Sequence, residues 1–388
     1  MELSVLIDKI RSDQARMAAG LPRKLRPFLL EHPVLRQRSG MVIGPRGVGK
    51  TTMLLLACKQ ANILYTTADD PVLASLSLSR IAETSFAEGF DGIVFDEVHH
   101  ADQWSLHVKS IYDRFPNKKI WVSDSSSLIL RKGVGDLSRR MPKLTVPFLS
   151  FREYLDLAHG LAFKVFDPFV AQIEVFQMIA NSCNVMKLFK QYCQEGFRPI
   201  FLEGDYHQKI LGIIEKSIYA DIPYFVPRIQ ENHLRLMNAI MGFLAMSPIP
   251  TINVESMSKQ WSLGKEKLYQ LLNVMEHVGL LQIIRHKSDH CALGKGSKIF
   301  FADPSMYGAL SGSTGNVREA FVATMFRQMG RDIFASKDET KGDYEYGKIT
   351  LEIGGPNKAR KGANFVIRDD LDLPGHRSLP LWSLGMMY

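Results

Sequence analysis

The sequence predicts an α/β fold, a parallel sheet with helices on both faces followed by a helical segment and smaller modules, on three observations. The first is Gly44-Pro45-Arg46-Gly47-Val48-Gly49-Lys50-Thr51-Thr52, which fits the phosphate-loop pattern G-x-x-x-x-G-K-[ST] at every fixed position. The second is Gly92-Ile93-Val94-Phe95-Asp96-Glu97, an apolar strand that delivers two carboxylates at its carboxyl end. The third is alternation: short apolar runs at 41–43, 62–66, 92–95 and 119–123 are separated by stretches of helical character, as in parallel strands joined by helices.

Each element follows from its residues. Met41-Val42-Ile43 reads as a buried strand entering the loop, and Met53-Leu54-Leu55-Leu56-Ala57 as the packed face of the helix leaving it. In such a loop the glycines let backbone N–H groups turn inward on a polyphosphate, and the helix N-terminus adds partial positive charge. Gly44 to Thr52 would therefore hold ATP, with Lys50 reaching the β- and γ-phosphates and the Thr51 hydroxyl ligating Mg²⁺. Asp96 would share the Mg²⁺, and Glu97 would polarise the attacking water. His99 and His100 follow, but a histidine pair without further ligand spacing is a weak metal signal.

Downstream of the first strand pair, Asp69-Asp70-Pro71 is a helix-start signal, and Trp104, Val108, Ile111 and Phe115 space an amphipathic helix. The strand 119–123 ends in Asp124-Ser125-Ser126-Ser127, where Ser123 or Ser125 is placed to sense a γ-phosphate, although serine clusters also form ordinary turns. A basic run follows at Arg131, Lys132, Arg139, Arg140 and Lys143, of which a guanidinium could serve a phosphate across a subunit interface.

Composition limits the setting. At 388 residues the chain exceeds one ordinary core, so several modules are expected. No apolar run nears the roughly 18 residues a membrane span requires, and Met1-Glu2-Leu3-Ser4 does not open an export signal, so a cytoplasmic protein without membrane contact is expected. Cys58, Cys183, Cys193 and Cys291 are scattered and form no C-x-x-C pair, against both a zinc site and a disulfide framework. A net charge of +8 is modest for this length and implies a polyanionic partner only where it is concentrated.

Five segments result: a basic helical segment at 1–39, a phosphate-loop ATPase core at 40–150, a helical lid at 151–225, a winged helix at 226–290 and a small α+β domain at 291–388. The winged-helix expectation rests on the order helix, turn, helix, strand between 232 and 285. Its second helix offers Lys265, Lys267, Gln270 and Asn273 to phosphates and base edges, diluted by Glu266 and Glu276. Double-stranded DNA is thus a candidate partner through 254–287; the alternatives are packing on its own ATPase domain or a protein partner.

The order phosphate loop, Ile-Val-Phe-Asp-Glu, tryptophan-bearing helix, serine-rich strand end, Leu137-Ser138-Arg139-Arg140 and Leu149-Ser150-Phe151-Arg152-Glu153-Tyr154-Leu155 resembles prokaryotic AAA-type ATPases of the AAA_14 family with a DUF4143 region. The resemblance implies an AAA/STAND-like P-loop NTPase and places the family's arginine, a catalytic candidate, on Arg140. One departure is Asp124, where relatives carry glycine. It also implies a restriction-endonuclease-like C-terminal region with Glu319, Asp343 and Glu352 as its acids. The lysine expected two residues after the glutamate is Gly354, and loss of a cation there costs several kcal/mol at a phosphodiester transition state, so nuclease activity is not expected unless Lys358 supplies it. Two functions remain open: an ATP-hydrolysing machine recruited to DNA, or a slowly cycling nucleotide-gated switch with a protein partner, either of which a homo-oligomer could serve.

Overall fold

The computed structural model describes residues 3–388 except 27, 30–31, 33–35, 74–75, 126–136, 227, 248–253, 288–296, 339 and 361. Two compact units divide the chain, Met1–Pro147 and Phe148–Tyr388. Ser126 and Ser127, Arg131 and Lys132, Pro248 and Pro250, and Cys291 lie outside the described residues.

In the first unit, β1 (Ser39–Ile43), β2 (Ile63–Thr67), β3 (Gly92–Asp96), β4 (Lys119–Asp124) and β5 (Lys143–Thr145) form one sheet in the order β2-β3-β4-β1-β5. Every pair is parallel. β1 and β3 are buried at all five positions, which is why both read as near-continuous apolar runs rather than alternating ones. Insertion of β4 between them sets the ends of β1, β4 and β3 side by side at the sheet's carboxyl edge, where open α/β sheets bind ligands.

The helices are α1 (Leu3–Ala19), α2 (Lys50–Lys59), α3 (Leu78–Ala87) and α4 (Trp104–Arg114). The basic N-terminal segment is part of this unit: α1 buries Leu6, Ile7 and Ile10 and packs on β2, α2 and α3. Its Gln14 also seals the sheet, donating from Nε2 to the Ile63 carbonyl (2.9 Å) and accepting from the Tyr65 N–H (3.0 Å) on the edge strand. Among the described residues no helix starts at Asp69-Asp70-Pro71. The Asp70 carboxylate instead accepts the Val72 N–H (2.8 Å) in an Asx turn, and α3 begins seven residues later under a Ser77 cap.

The second unit opens with the Ser-Phe-Arg-Glu block, a capping box: Ser150 Oγ accepts the Glu153 N–H and Glu153 Oε2 accepts the Ser150 N–H, each at 3.1 Å. That start leads into α5 (Phe151–His159), then α6 (Ile173–Ser182), α7 (Val185–Glu195) and α8 (Tyr206–Lys216). Three helices follow, α9 (Glu231–Met246), α10 (Val254–Gln260) and α11 (Lys265–His277), and then the antiparallel pair β6 (Leu281–Ile284) and β7 (Lys298–Phe301). Last come α12 (Thr314–Gln328) and a mixed sheet in the order β12-β11-β10-β9-β8, made of β8 (Phe334–Ala335), β9 (Tyr344–Tyr346), β10 (Ile349–Gly354), β11 (Phe365–Arg368) and β12 (Ser378–Pro380). Among the described residues no helix is long and apolar enough to cross a membrane.

Buried charge locks α11 to its neighbours. Glu276, 4 % exposed in its side chain, pairs with Arg285 and Arg327 at 3.0 Å each and accepts the Ile283 N–H at 3.2 Å. Burial pushes its carboxyl pKa up, but Arg327 and Arg285 outweigh burial and leave it below the ordinary value. A lowered folded-state pKa stabilises above the unfolded value and loses that stability as pH falls toward the folded one. We expect Glu276→Gln to cost about 2–4 kcal/mol at neutral pH and to flatten the acid limb of the stability curve below about pH 4.3. Thermal melts from pH 3 to pH 7 check this; parallel losses in both proteins across the acid range would show that Glu276 does not carry the effect.

Candidate nucleotide site

The loop after β1 is shaped by three glycines in the left-handed half of backbone space: Gly44 at φ 155°, Gly47 at 76° and Gly49 at 101°. At Gly44 a Cβ would also lie 2.5 Å from the Val146 carbonyl oxygen, so no larger residue fits. From behind, buried Arg26 donates from Nη1 to the carbonyls of Val48 and Pro147, both at 2.9 Å, and so braces the loop against the next strand's exit. Lys50, 6 % exposed, curls into the loop, its Nζ 2.8 Å from the Gly44 carbonyl and 3.1 Å from that of Pro45. Burial pushes its pKa down, while Glu97, Asp96 and Asp124 hold it up.

β3 brings Asp96 to the same place. Its Oδ2 accepts from Thr51 Oγ1 (2.7 Å) and from the Tyr65 hydroxyl (2.5 Å), and its Oδ1 accepts from Ser123. The Thr51 hydroxyl and the Asp96 carboxylate form an all-oxygen pair, the donor type that a hard divalent cation takes. Tyr65 reaches Asp96 because β2 lies beside β3, with Thr67 opposite Asp96.

Glu97 stands one residue beyond the strand at φ 49° and ψ 46°, a left-handed conformation that costs a non-glycine residue about 1 kcal/mol or more. That twist turns its carboxylate toward the loop. Oε1 meets Arg46 Nη1 at 3.3 Å, and Oε2 accepts from Ser125 Oγ at 3.2 Å. Burial raises the Glu97 pKa, opposed by Lys50 and Arg46. Asp124 is fully buried and bonded to His99 Nδ1 at 2.6 Å, with His99 in turn 3.7 Å from Glu97 Oε2. The residue that departs from the family glycine thus has a partner in the histidine pair. Glu97, His99 and His100 also bring ligand atoms within 4.8 Å of one another.

The structure therefore gathers Arg46, Lys50, Thr51, Asp96, Glu97, Ser123 and Ser125, and adds Arg26, Tyr65 and the His99–Asp124 pair. Arg140 is not among them. Its guanidinium makes a two-point pair with Asp113 (3.0 and 3.2 Å), and its carbonyl accepts from Ser39 Oγ at the amino end of β1, opposite the loop. Its guanidinium thus pairs with α4, and its backbone lies at the edge of the sheet opposite the loop.

In the second unit Glu319, Asp343 and Glu352 do come together, with Lys298 and Lys358. Lys298 Nζ lies 2.6 Å from Glu319 and 3.3 Å from Asp343; Lys358 Nζ lies 2.9 Å from Glu352 and 4.0 Å from Asp343. Gly354 leaves no gap, because a Cβ there would fall 2.3 Å from Lys358 Cγ. Lys358, four residues on, thus packs over Gly354 and reaches Glu352.

A glycine-rich loop opening a helix beside a strand-end Asp-Glu, in the sheet order described, defines a P-loop NTPase. Residues 36–155 match the AAA_14 family model, an AAA domain, so the nucleotide unit is of the AAA type. Among curated proteins none matches in sequence. Among solved structures, a Walker-type ATPase of Pyrococcus abyssi is 14 % identical, covering 75 % of this chain and 96 % of its own, at a TM-score of 0.41. A RuvB variant of Thermotoga maritima is also 14 % identical, over 72 % and 89 %, at 0.27. A STAND protein with a tetratricopeptide repeat sensor from Pyrococcus horikoshii is 13 % identical, over 80 % and 46 %, at 0.29. The fold assignment rests on strand order and loop rather than on these likenesses.

Proposed function

We propose that the chain binds Mg²⁺-ATP at this site and hydrolyses it. The observation that supports this most strongly is the convergence of Lys50, Thr51, Asp96 and Glu97 at the carboxyl edge of one sheet. On ATP binding, the N–H groups of 44–52 surround the phosphates and Lys50 exchanges its loop carbonyls for β- and γ-phosphate oxygens. Thr51 and Asp96 would hold Mg²⁺, which would supply positive charge to offset the charge developing on those oxygens. Glu97 accepts a proton from the attacking water, and Ser125 reports the γ-phosphate to it. Arg46 exchanges its pair with Glu97 for a phosphate oxygen, which releases the base. Arg140 acts only from a neighbouring copy in a homo-oligomer.

The three helices and the antiparallel strand pair between 231 and 301 support a winged-helix reading and contact with double-stranded DNA through 254–287. Lys267, Gln270 and Asn273 are its candidate contacts; Lys265 is engaged with Glu255 at 2.7 Å. We also assign the C-terminal acids a structural role without nuclease activity. This rests on Gly354, which stands where a nuclease of that pattern carries its lysine, and on Lys298, which pairs with both Glu319 and Asp343. A cytoplasmic location fits this reading.

A second reading is favoured by one feature, the pairing of the site's groups with one another: Arg46 with Glu97, Lys50 with the loop, Thr51 with Asp96. Nucleotide must break these pairs, so binding alone shifts the conformation, as a slowly cycling switch with a protein partner requires. Steady-state ATP hydrolysis with and without duplex DNA separates the two. The DNA-recruited machine predicts stimulation that is lost in Lys267→Glu; slow turnover indifferent to DNA would contradict it and favour the switch.

A further inference from the structure

The second unit contains a cavity of about 720 Å³ that the proposed reaction does not use. Its volume lies in the range of about 300–1,000 Å³ typical of small-molecule sites. α7 forms one wall with Met186, Phe189, Lys190 and Cys193, whose spacing by three and four residues puts them on one helical face. Phe189, Tyr307 and Leu381 are almost wholly buried and make an apolar floor. The Tyr307 hydroxyl is buried beside the Phe301 backbone, with no side-chain hydrogen-bond partner among the described residues. At the rim stand Lys187 and Lys190, both exposed, and neither ammonium has a carboxylate partner among the described residues. The one acid of the lining, Asp369, is held by Arg318.

An apolar floor under an excess of positive charge selects for ligands with two ends. We infer that this cavity binds a small organic anion with an apolar body, the head paired with Lys187 and Lys190 and the body against Phe189, Tyr307 and Leu381. Neither end suffices by itself, since an exposed ion pair contributes at most about 1 kcal/mol and a neutral body gains nothing from the lysines.

Fluorescence titration of the full-length protein with anilinonaphthalene sulfonate, an anion with an aromatic body, tests this directly. Saturable one-to-one binding is expected, with displacement by decanoate, displacement by decanol at least about tenfold weaker, and none by acetate. The tenfold corresponds to about 1.4 kcal/mol. Lys187→Glu combined with Lys190→Glu, both on the surface and neutral to folding, should weaken decanoate at least about tenfold. Met186→Trp, which narrows the cavity, should weaken decanoate and decanol alike at an unchanged melting temperature. Binding that fails to saturate, equal displacement by decanol and decanoate, or unchanged affinity in the lysine variant would each overturn the proposal.

Discussion

Glu97→Gln is expected to lower steady-state ATP turnover by about 10²–10⁴-fold, the usual contribution of a positioned general base, while Mg²⁺-ATP still binds. The amide keeps the size of the carboxylate and still offers an oxygen to Ser125 Oγ, so the loop and the left-handed turn at residue 97 stay as they are. What it loses is the ability to take a proton from water and the charge that holds Arg46. Arg46 is then released toward the phosphates, so ATP affinity should hold or rise while turnover falls. Single-turnover phosphate release beside equilibrium binding makes the separation visible. A parallel loss of binding would mean that Glu97 acts by shaping the loop.

Lys50→Ala should act at the earlier step. Two charge-assisted contacts to phosphate at about 1.5–3 kcal/mol each amount to a loss of at least about 100-fold in ATP affinity, and turnover falls with it. The ammonium is buried and pulled toward neutrality by that burial, so a phosphate chain supplies the charge that the pocket otherwise provides only through Glu97, Asp96 and Asp124. Alanine also leaves the Gly44 and Pro45 carbonyls without their donor, so the melting temperature must be measured alongside. Calorimetric titration that gave wild-type affinity would remove Lys50 from the site.

Much of the nucleotide unit was legible in the sequence because its chemistry is local. A loop that wraps phosphates needs glycines at fixed spacing, and buried parallel strands need unbroken apolar runs, so residues 41–57 and 92–97 announced themselves. The pairings across the sheet were not legible. Tyr65 bonds to Asp96 only because β2 neighbours β3, and Arg26 reads as one of several solvated cations until its guanidinium is found under the loop at Val48. Motif spacing likewise placed Arg140 by analogy alone. Arg140 stands just before β5, which runs parallel to β1, so its backbone lies at the amino edge of the sheet. The place of Lys358 was not legible for a related reason: the pattern looks for its cation on the same strand, whereas here the chain turns after β10 and Lys358 folds back over Gly354. Asp69-Asp70-Pro71 failed because an aspartate satisfies a turn as readily as a helix start, and only the position of Ser77 decides between them.

The most direct test of the central claim is phosphate release from Mg²⁺-ATP by the wild-type chain beside Lys50→Ala and Glu97→Gln. Steady release by the wild type, reduced at least about 100-fold in both variants, is the predicted result. Wild-type rates persisting in Lys50→Ala would contradict hydrolysis at this loop.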